Sequence, residues 1–279
     1  LLGPVRGLPG YWCACAVMAG LSQGGGVGLA LANWMTDDDP GFDIWGMDVS
    51  RYGDFATSAY TRAKVNENYG RRFRITYPNE FLPIGRPLQT TAAHDRWSEF
   101  NAVWGDSYGL EVPQWFQRPG LDPTEELTWH RSNAWDRVAQ ESDLVRNSVG
   151  VTETSGFSKF RFSGPGARDF LSWVLAGRIP RHGRLSLTPM LNSKGGLIGD
   201  LTVGCLPPSH GEPEGPAGTV VGGATSNVDE LEQFFVFGSG VAERYYERHF
   251  DRMLAEWNGE PARYRTCGYE LAGLSIAGP

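Results

Sequence analysis

Residues 185–206 read LSLTPMLNSKGGLIGDLTVGCL, and this stretch decides the fold of the second half of the chain. Two apolar runs flank the polar, glycine-containing segment Asn192–Gly196, which is the pattern of a β-hairpin. The second run carries Asp200, between Gly199 and Leu201. Strands disfavour aspartate, and a buried carboxylate needs a partner or a ligand. Asp200 is therefore either an edge-strand residue facing water or part of a site.

The segments around this hairpin alternate between strand and helix patterns. FSKFRFSG (157–164) has the alternation of a half-buried strand, and GPGARDFLSWVLAGRIP (164–180) has an apolar helical face. FFVFGSG (234–240) predicts another strand, VAERYYERHFDRMLAEWNG (241–259) a helix and ELAGLSIAGP (270–279) a last strand. This order is typical of an α+β unit with antiparallel pairing.

The N-terminal segment predicts a strand, a glycine turn and a helix. YWCACAVMAG (11–20) is a short apolar run that suits a buried strand. The glycine turn spans Gly24–Gly28, and the helix after it ends before Pro40, which cannot continue a helix. Glycine turns that lead into helices often hold anionic groups of nucleotides and flavins.

Residues 41–140 are rich in aromatic residues and interrupted by prolines. RRFRITYP (71–78) alternates like a strand, whereas AAHDRWSEFNAVWG (92–105) places three aromatic residues on one face of a short helix. These aromatic residues are Trp97, Phe100 and Trp104.

Composition excludes several classes of protein. The chain has 279 residues and a net charge of −7 spread along its length, which disfavours nucleic acid as a partner. No stretch approaches the ~20 consecutive apolar residues of a membrane-spanning helix. The four cysteines lack C-x-x-C and zinc spacing, so we expect reduced thiols in a cytosol-like compartment. Because apolar runs lie close to both ends, we expect an excerpt from a longer polypeptide whose isolated chain is poorly soluble.

Most common catalytic motifs are missing from the sequence. A strict G-x-G-x-x-G fingerprint fails because Leu29 and Leu31 stand where it requires Gly or Ala. Asp37–Asp39 predict a solvated turn, and the histidines show no metal spacing. Ser155 and Ser239 do not make G-x-S-x-G. The glycine turn is therefore either a simple tight turn or a close approach of the backbone to a flat ligand.

Three blocks of the chain resemble one enzyme family, in its order. GYWCACAVMAGLSQGGGVGLALANWM and DIWGMDVSRYGD resemble the end of the flavin domain of dimethylglycine and sarcosine dehydrogenases. NENYGRRFRITYPNEFLPIGRPLQT and GLEVPQWF resemble their middle domain. GFSKFRFSGPGARDFL, RIPRHGRLSLTPMLNSKGGLIGDLTV and ELAGLSIAGP resemble the start of their folate-binding domain, which is similar to the aminomethyltransferase (T-protein) of glycine cleavage. The resemblance implies the tail of a flavin-binding domain over 1–47, a middle domain over 48–147 and the start of a T-protein-like α+β domain over 148–279.

The resemblance also implies cofactors, a reaction and site residues. The cofactors are FAD, with only part of its site in this chain, and tetrahydrofolate. The reaction is oxidation of a small N-methyl amine, with transfer of the one-carbon unit to tetrahydrofolate assisted by Asp200. The helix after the glycine turn would aim its free N–H groups at the flavin ring. The expected flavin contacts are Gly24, Gly25, Gly26, Val27 and Gly28, and the expected folate contacts beside Asp200 are Met190 and Leu191.

Two departures from the family pattern leave alternatives open. Leu187 stands where many members of the family have Tyr, and in GVTETS the acid of the family pattern G-V-x-D-x-S is displaced or exchanged to Glu153. The alternatives are a folate-dependent transferase without flavin chemistry and a non-catalytic regulatory relative. The resemblance implies a cytoplasmic location, or the mitochondrial matrix in a eukaryote, and it leaves the oligomeric state open.

Overall fold

A computed structural model shows a chain of mixed helices and antiparallel strands, which confirms the α+β class. The residues that it describes are 1–17, 20–206 and 232–279. The Pro-, Gly- and Ser-rich stretch 207–226 lies outside these residues. The strands are β1 (Leu2–Pro4), β2 (Trp12–Ala14), β3 (Ala102–Ser107), β4 (Leu110–Phe116), β5 (Gly150–Glu153), β6 (Ser158–Ser163), β7 (Leu185–Leu191), β8 (Leu197–Leu206), β9 (Gln233–Gly238), β10 (Arg263–Thr266) and β11 (Leu274–Ala277). The helices are α1 (Gly20–Asp37), α2 (Ser58–Gly70), α3 (His94–Glu99), α4 (Ala134–Asn147), α5 (Ala167–Val174) and α6 (Glu243–Glu256).

The chain divides into two compact units, each built from two stretches of sequence. The first unit contains Leu1–Arg51 and Phe157–Gly268, and the second contains Tyr52–Gly156 and Tyr269–Pro279. The first unit thus joins the N-terminal strands and α1 to the β7–β8 hairpin. The boundaries at 47 and 147 remain a prediction about domains.

A five-stranded antiparallel sheet forms the centre of the first unit, in the order β10-β6-β9-β8-β7. Its core face carries alternate apolar residues such as Phe160, Phe162, Leu201 and Val236, all with no exposed surface. Helices α5 and α6 supply Phe170, Leu171 and Phe250 to the same cluster. The predicted strands, hairpin and helices of this region are confirmed.

The fifth strand of this sheet is not the one that the sequence predicts. β10 pairs with β6, although its sequence RYRT shows little apolar character. The predicted terminal strand ELAGLSIAGP does form β11, but it pairs with β5 in the second unit. Pattern alone identified the strand and could not identify its neighbour.

The prediction of a glycine turn before the helix is wrong, because Gly24–Gly28 lie inside α1. Each glycine costs a helix roughly 1 kcal/mol relative to alanine, so packing must hold this segment helical. Ala30 and Trp34 of α1 are buried against Leu2 and Ile44 in a small cluster. The preceding strand β2 forms as predicted but is only three residues long and half-exposed rather than buried.

Two further predictions in the second unit are wrong. RRFRITYP forms no strand, and Phe73 and Ile75 within it are 92% and 76% exposed, because no neighbouring strand pairs with them. The aromatic helix is α3, which ends at Glu99, and Asn101 has a φ of +65° that stops it. Trp104 therefore lies in β3, paired with β4.

Candidate functional site

The turn of the hairpin is fixed by Asn192. Its side-chain Oδ1 accepts hydrogen bonds from the backbone N–H groups of Lys194 (3.0 Å) and Gly196 (2.7 Å). Gly195 has a φ of +80°, a left-handed conformation that favours glycine. The Nδ2 of Asn192 donates to Asp39 Oδ2 at 2.9 Å, so the segment that follows α1 holds the tip of the hairpin.

Asp200 projects from β8 on the exposed side of the sheet. Its register partner on the edge strand β7 is Pro189, which has no N–H to donate to the ladder. Strand alternation places Thr202 and Leu187 on the same face, where Leu187 is 68% exposed. Phe237 pairs with Thr202 from the neighbouring strand β9. The carboxylate therefore lies at the edge of a partly apolar, solvent-accessible surface.

Tyr246 of α6 supports this part of the sheet from the core side. Its ring fills the space left by two glycines, because a Cβ on Gly199 or Gly238 would lie 2.6 Å from it. Burial raises the pKa of the Tyr246 hydroxyl, the nearby Asp200 carboxylate raises it further, and a hydrogen bond with the backbone of Ser239 acts in the opposite direction. Tyr246 is thus a neutral phenol beneath the candidate carboxylate.

Met190 and Leu191, the two other residues expected beside Asp200, differ in their position relative to its surface. Met190 has no exposed surface and belongs to the core cluster, on the opposite face of the sheet from Asp200. Leu191 follows a register shift between Met190 and Leu191 and is half-buried. In this geometry Met190 does not form one ligand-facing wall with Asp200, because successive residues of a strand point to opposite faces.

Thr202 and Phe237 belong to the candidate surface although sequence reasoning missed them. Phe237 and Phe235 are half-buried on this face of β9, with ring centroids 6.0 Å apart. The i, i+2 spacing from Asp200 to Thr202 is visible in the sequence. The pairing of β8 with β9, which brings Phe237 alongside, is not.

The glycines of α1 form a second candidate surface. Gly24, Gly25, Gly26 and Gly28 are exposed, and no atom lies within 4 Å of the position that a Cβ would take at any of them. Their N–H groups are used inside the helix, so they cannot donate to a ligand as expected for a turn. Val27 instead packs against the cluster that holds α1. The one role in flavin binding that fits these glycines is to leave the backbone of α1 uncovered, so that a flat ring can pack closely against it.

The acidic residues that follow α1 serve structure. Asp39 is bound to the hairpin tip, and its other oxygen accepts from Gly41 N at 2.6 Å. Asp38 pairs with Arg252 of α6. The predicted solvated turn is wrong for Asp39, whose side chain is only 13% exposed, whereas Asp38 keeps 57% of its side chain exposed as predicted. Among the residues that the structure describes, no group of three or more His, Cys, Asp or Glu side chains suits a metal ion.

Two family models match parts of the chain. The FAD dependent oxidoreductase central domain matches residues 37–91, and the GCVT N-terminal domain matches residues 93–210. The second match contains the hairpin and Asp200. No helix in the described part of the chain is both long and apolar enough to cross a membrane.

Relatives match the chain along its whole length. Mitochondrial dimethylglycine dehydrogenases of rat and human are 30% and 34% identical to it, and both alignments cover 100% of the chain. A 4-methylaminobutanoate oxidase (formaldehyde-forming) of Paenarthrobacter nicotinovorans is 31% identical over 91% of the chain. The chain spans only about 30% of the length of these relatives. The chain is thus similar along its whole length to dimethylglycine dehydrogenases, as its three sequence blocks indicated.

Proposed function

We propose that this chain is part of a flavin-dependent amine oxidoreductase and contains the end of its flavin domain, its middle domain and the start of its folate-binding domain. The substrate class is a small N-methyl amine, and the acceptor of its one-carbon unit is tetrahydrofolate. The observation that carries this proposal is Asp200, an accessible carboxylate on the hairpin within the part of the chain that matches the GCVT domain. When bound, the flavin would accept the hydride removed from the N-methyl group.

In this proposal Asp200 acts at the folate. An exposed carboxylate beside apolar groups can accept a proton or a hydrogen bond from a ring nitrogen of a bound ligand. Leu187 and Phe237, on the same face, supply apolar surface against a flat ring system. Tyr246 packs against Gly199 on the core side of β8 and so supports the strand that carries Asp200. Leu191 remains a proposed contact at the end of β7.

The glycines of α1 are proposed as a wall of the flavin site. Gly24, Gly25, Gly26 and Gly28 leave the backbone of α1 uncovered, and Val27 anchors the helix from the other side. The remainder of a flavin site would have to come from residues outside this chain. The hydrogen bond from Asn192 to Asp39 connects the two proposed sites within one compact unit.

One observation favours a second candidate acceptor. Leu187 offers no hydroxyl to a ligand at the position across from Thr202. A protein with a weakened folate site would release formaldehyde to water, as the name of the Paenarthrobacter relative describes for that enzyme. Both candidates require flavin chemistry and differ only in the fate of the carbon.

A visible absorption spectrum of the protein from its natural source, recorded with its intact mass, tests the proposal. We expect a flavin band that bleaches without oxygen when dimethylglycine or sarcosine is added. A colourless protein of about this chain's mass, 30.7 kDa, would contradict the proposal that the protein uses a flavin. It would leave the hairpin surface as a transferase or partner-binding site.

A further inference from the structure

Cys13 and Cys15 form a pair of thiols that the proposed function does not use. Their Sγ atoms lie 3.3 Å apart, within sulfur hydrogen-bond distance of each other. Both cysteines are free thiols, with Cys15 exposed and Cys13 half-buried. From this juxtaposition we infer that Cys13 and Cys15 are a site of reversible modification, which closes to an intramolecular disulfide in reaction with low-molecular-weight disulfides.

The local backbone explains why the two sulfurs meet. Residues two apart in a strand point to the same side, with Cα atoms about 6.6 Å apart, near the upper end of the range that disulfides span. β2 ends at Ala14, and Ala16 has a φ of +55°, so the chain leaves the strand geometry around Cys15. This departure lets the Cys15 side chain turn toward Cys13.

The two sulfurs have different roles because their surroundings differ. Burial raises the pKa of the Cys13 thiol, and its contact with Cys15 adds to this shift. Cys15 is exposed and meets a dissolved reagent first. The Cys15 thiolate therefore attacks one sulfur of the reagent, giving a mixed disulfide and releasing one thiol. Cys13 is then poised next to the bond that must be broken.

The second step closes the ring. The Cys13 sulfur gives up its proton and attacks the sulfur of Cys15, which expels the second half of the reagent as a thiol. Two electrons pass from the protein to the reagent, and the two protons of the cysteines end on the two released thiols. The products are one protein disulfide and two reduced small thiols, and a reducing thiol buffer reverses both steps.

The two remaining cysteines provide internal controls. Cys205 and Cys267 are each 1% exposed and lie on separate strands or loops of the core. Burial raises the pKa of the Cys205 thiol, and the Glu232 carboxylate adds to this effect. Slow reaction is expected at such buried, protonated thiols. Of the four cysteines, only Cys13 in β2 and Cys15 just after it combine access with a neighbouring thiol.

Mass spectrometry of the folded protein tests the inference. The protein is incubated with oxidised glutathione, quenched with acid and cleaved with trypsin, which leaves Cys13 and Cys15 alone together in the fragment 7–51. We expect this fragment to lose about 2 Da, the two hydrogens of a new disulfide, and to regain them in dithiothreitol. A fragment of unchanged mass, or one that retains a stable glutathione adduct, would overturn the inference.

Two single variants separate ring closure from simple exposure. Cys13→Ser should accumulate a stable glutathione adduct on Cys15, because no neighbour is left to displace it. Cys15→Ser should react more slowly, since the remaining thiol is half-buried. Equal adduct formation in the wild type and in Cys13→Ser would contradict the inference. The wild-type fragment decides the question even where a variant fails to fold.

Discussion

Arg248 of α6 donates from both terminal nitrogens to the carboxylate of Asp48, with distances of 3.0 and 2.7 Å, across 200 residues of sequence. Asp48 is almost fully buried, and Ser50 donates to the same carboxylate from its N–H and its hydroxyl. The Arg248 guanidinium also lies over the rings of Trp34 and Tyr245. This interaction joins the N-terminal segment to α6, which packs on the five-stranded sheet of the same compact unit.

We predict that Asp48→Asn destabilises the first unit by roughly 2–4 kcal/mol, because it leaves the Arg248 charge half-buried and unpaired. Urea unfolding should show a lower midpoint with an unchanged slope. The matched control is Glu99→Gln, which removes an exposed partner of Arg96. It should change the free energy of unfolding by less than about 0.5 kcal/mol. Equal changes in the free energy of unfolding for the two substitutions would show that the Asp48–Arg248 pair does not stabilise the first unit.

Gly199→Ala should destabilise the protein by about 1–3 kcal/mol through overpacking, since the new Cβ would overlap the ring of Tyr246. Thermal unfolding of the variant measures this loss. Tyr246→Leu in the same background replaces the hydroxyphenyl ring by a smaller aliphatic side chain, and should recover part of the stability. No recovery in the double variant would mean that Gly199 is required for another reason.

Gly25→Ala separates stability from cofactor binding. In the helix interior this substitution should stabilise α1 by about 0.5–1 kcal/mol, because the new methyl meets no neighbouring atom. If the glycine surface is a flavin wall, the same variant should bind flavin more weakly, as measured by flavin released during gel filtration. A variant that is both more stable and fully loaded with flavin would remove Gly25 from the proposed site.

The unfolding free energy should rise with pH between about 4 and 6.5 because of His249. Burial, together with the charges of Arg252 and Arg248, lowers the pKa of His249 to about 4. Since the ordinary histidine pKa is about 6.5, the unfolded state binds the proton more readily in this window, and acidification favours unfolding. The contribution of His249 amounts to at most about 3 kcal/mol.

Urea titrations at pH 4.5 and 7 measure this dependence, with His249→Gln as the comparison. The variant should lose less stability between the two pH values than the wild type does. An identical pH dependence of the two proteins would show that His249 is not the group responsible.

The local sequence pattern predicted the helices and strands around the five-stranded sheet. It failed for segments that become strands only if another strand pairs with them. The hairpin and α6 follow from alternation and helical spacing, since each buries one face in the same core. The alternation of RRFRITYP is equally clear in the sequence and forms no strand. The strand β10 has weak alternation and completes the sheet, because β6 is available to pair with it.

The residues of the candidate site could likewise be predicted from the sequence only where a local pattern marks them. Asp200 was visible because an acid in an apolar strand is unusual, and the structure gives it an accessible position on the sheet. The contact of Phe237 with that surface depends on the β8–β9 register, which no local pattern contains. The partners of Asp38 and Asp48 lie about 200 residues away in α6, so sequence spacing could not reveal them.

The fate of the one-carbon unit in an Asp200→Asn variant tests the central proposal most directly. Formaldehyde released per amine oxidised is measured with saturating tetrahydrofolate, with Asp122→Asn as an exposed control distant in sequence from the hairpin. We predict that Asp200→Asn oxidises the amine at the wild-type rate and releases most of the carbon as formaldehyde, while the control transfers it to tetrahydrofolate. Equal formaldehyde release by wild type, control and Asp200→Asn would contradict the proposal.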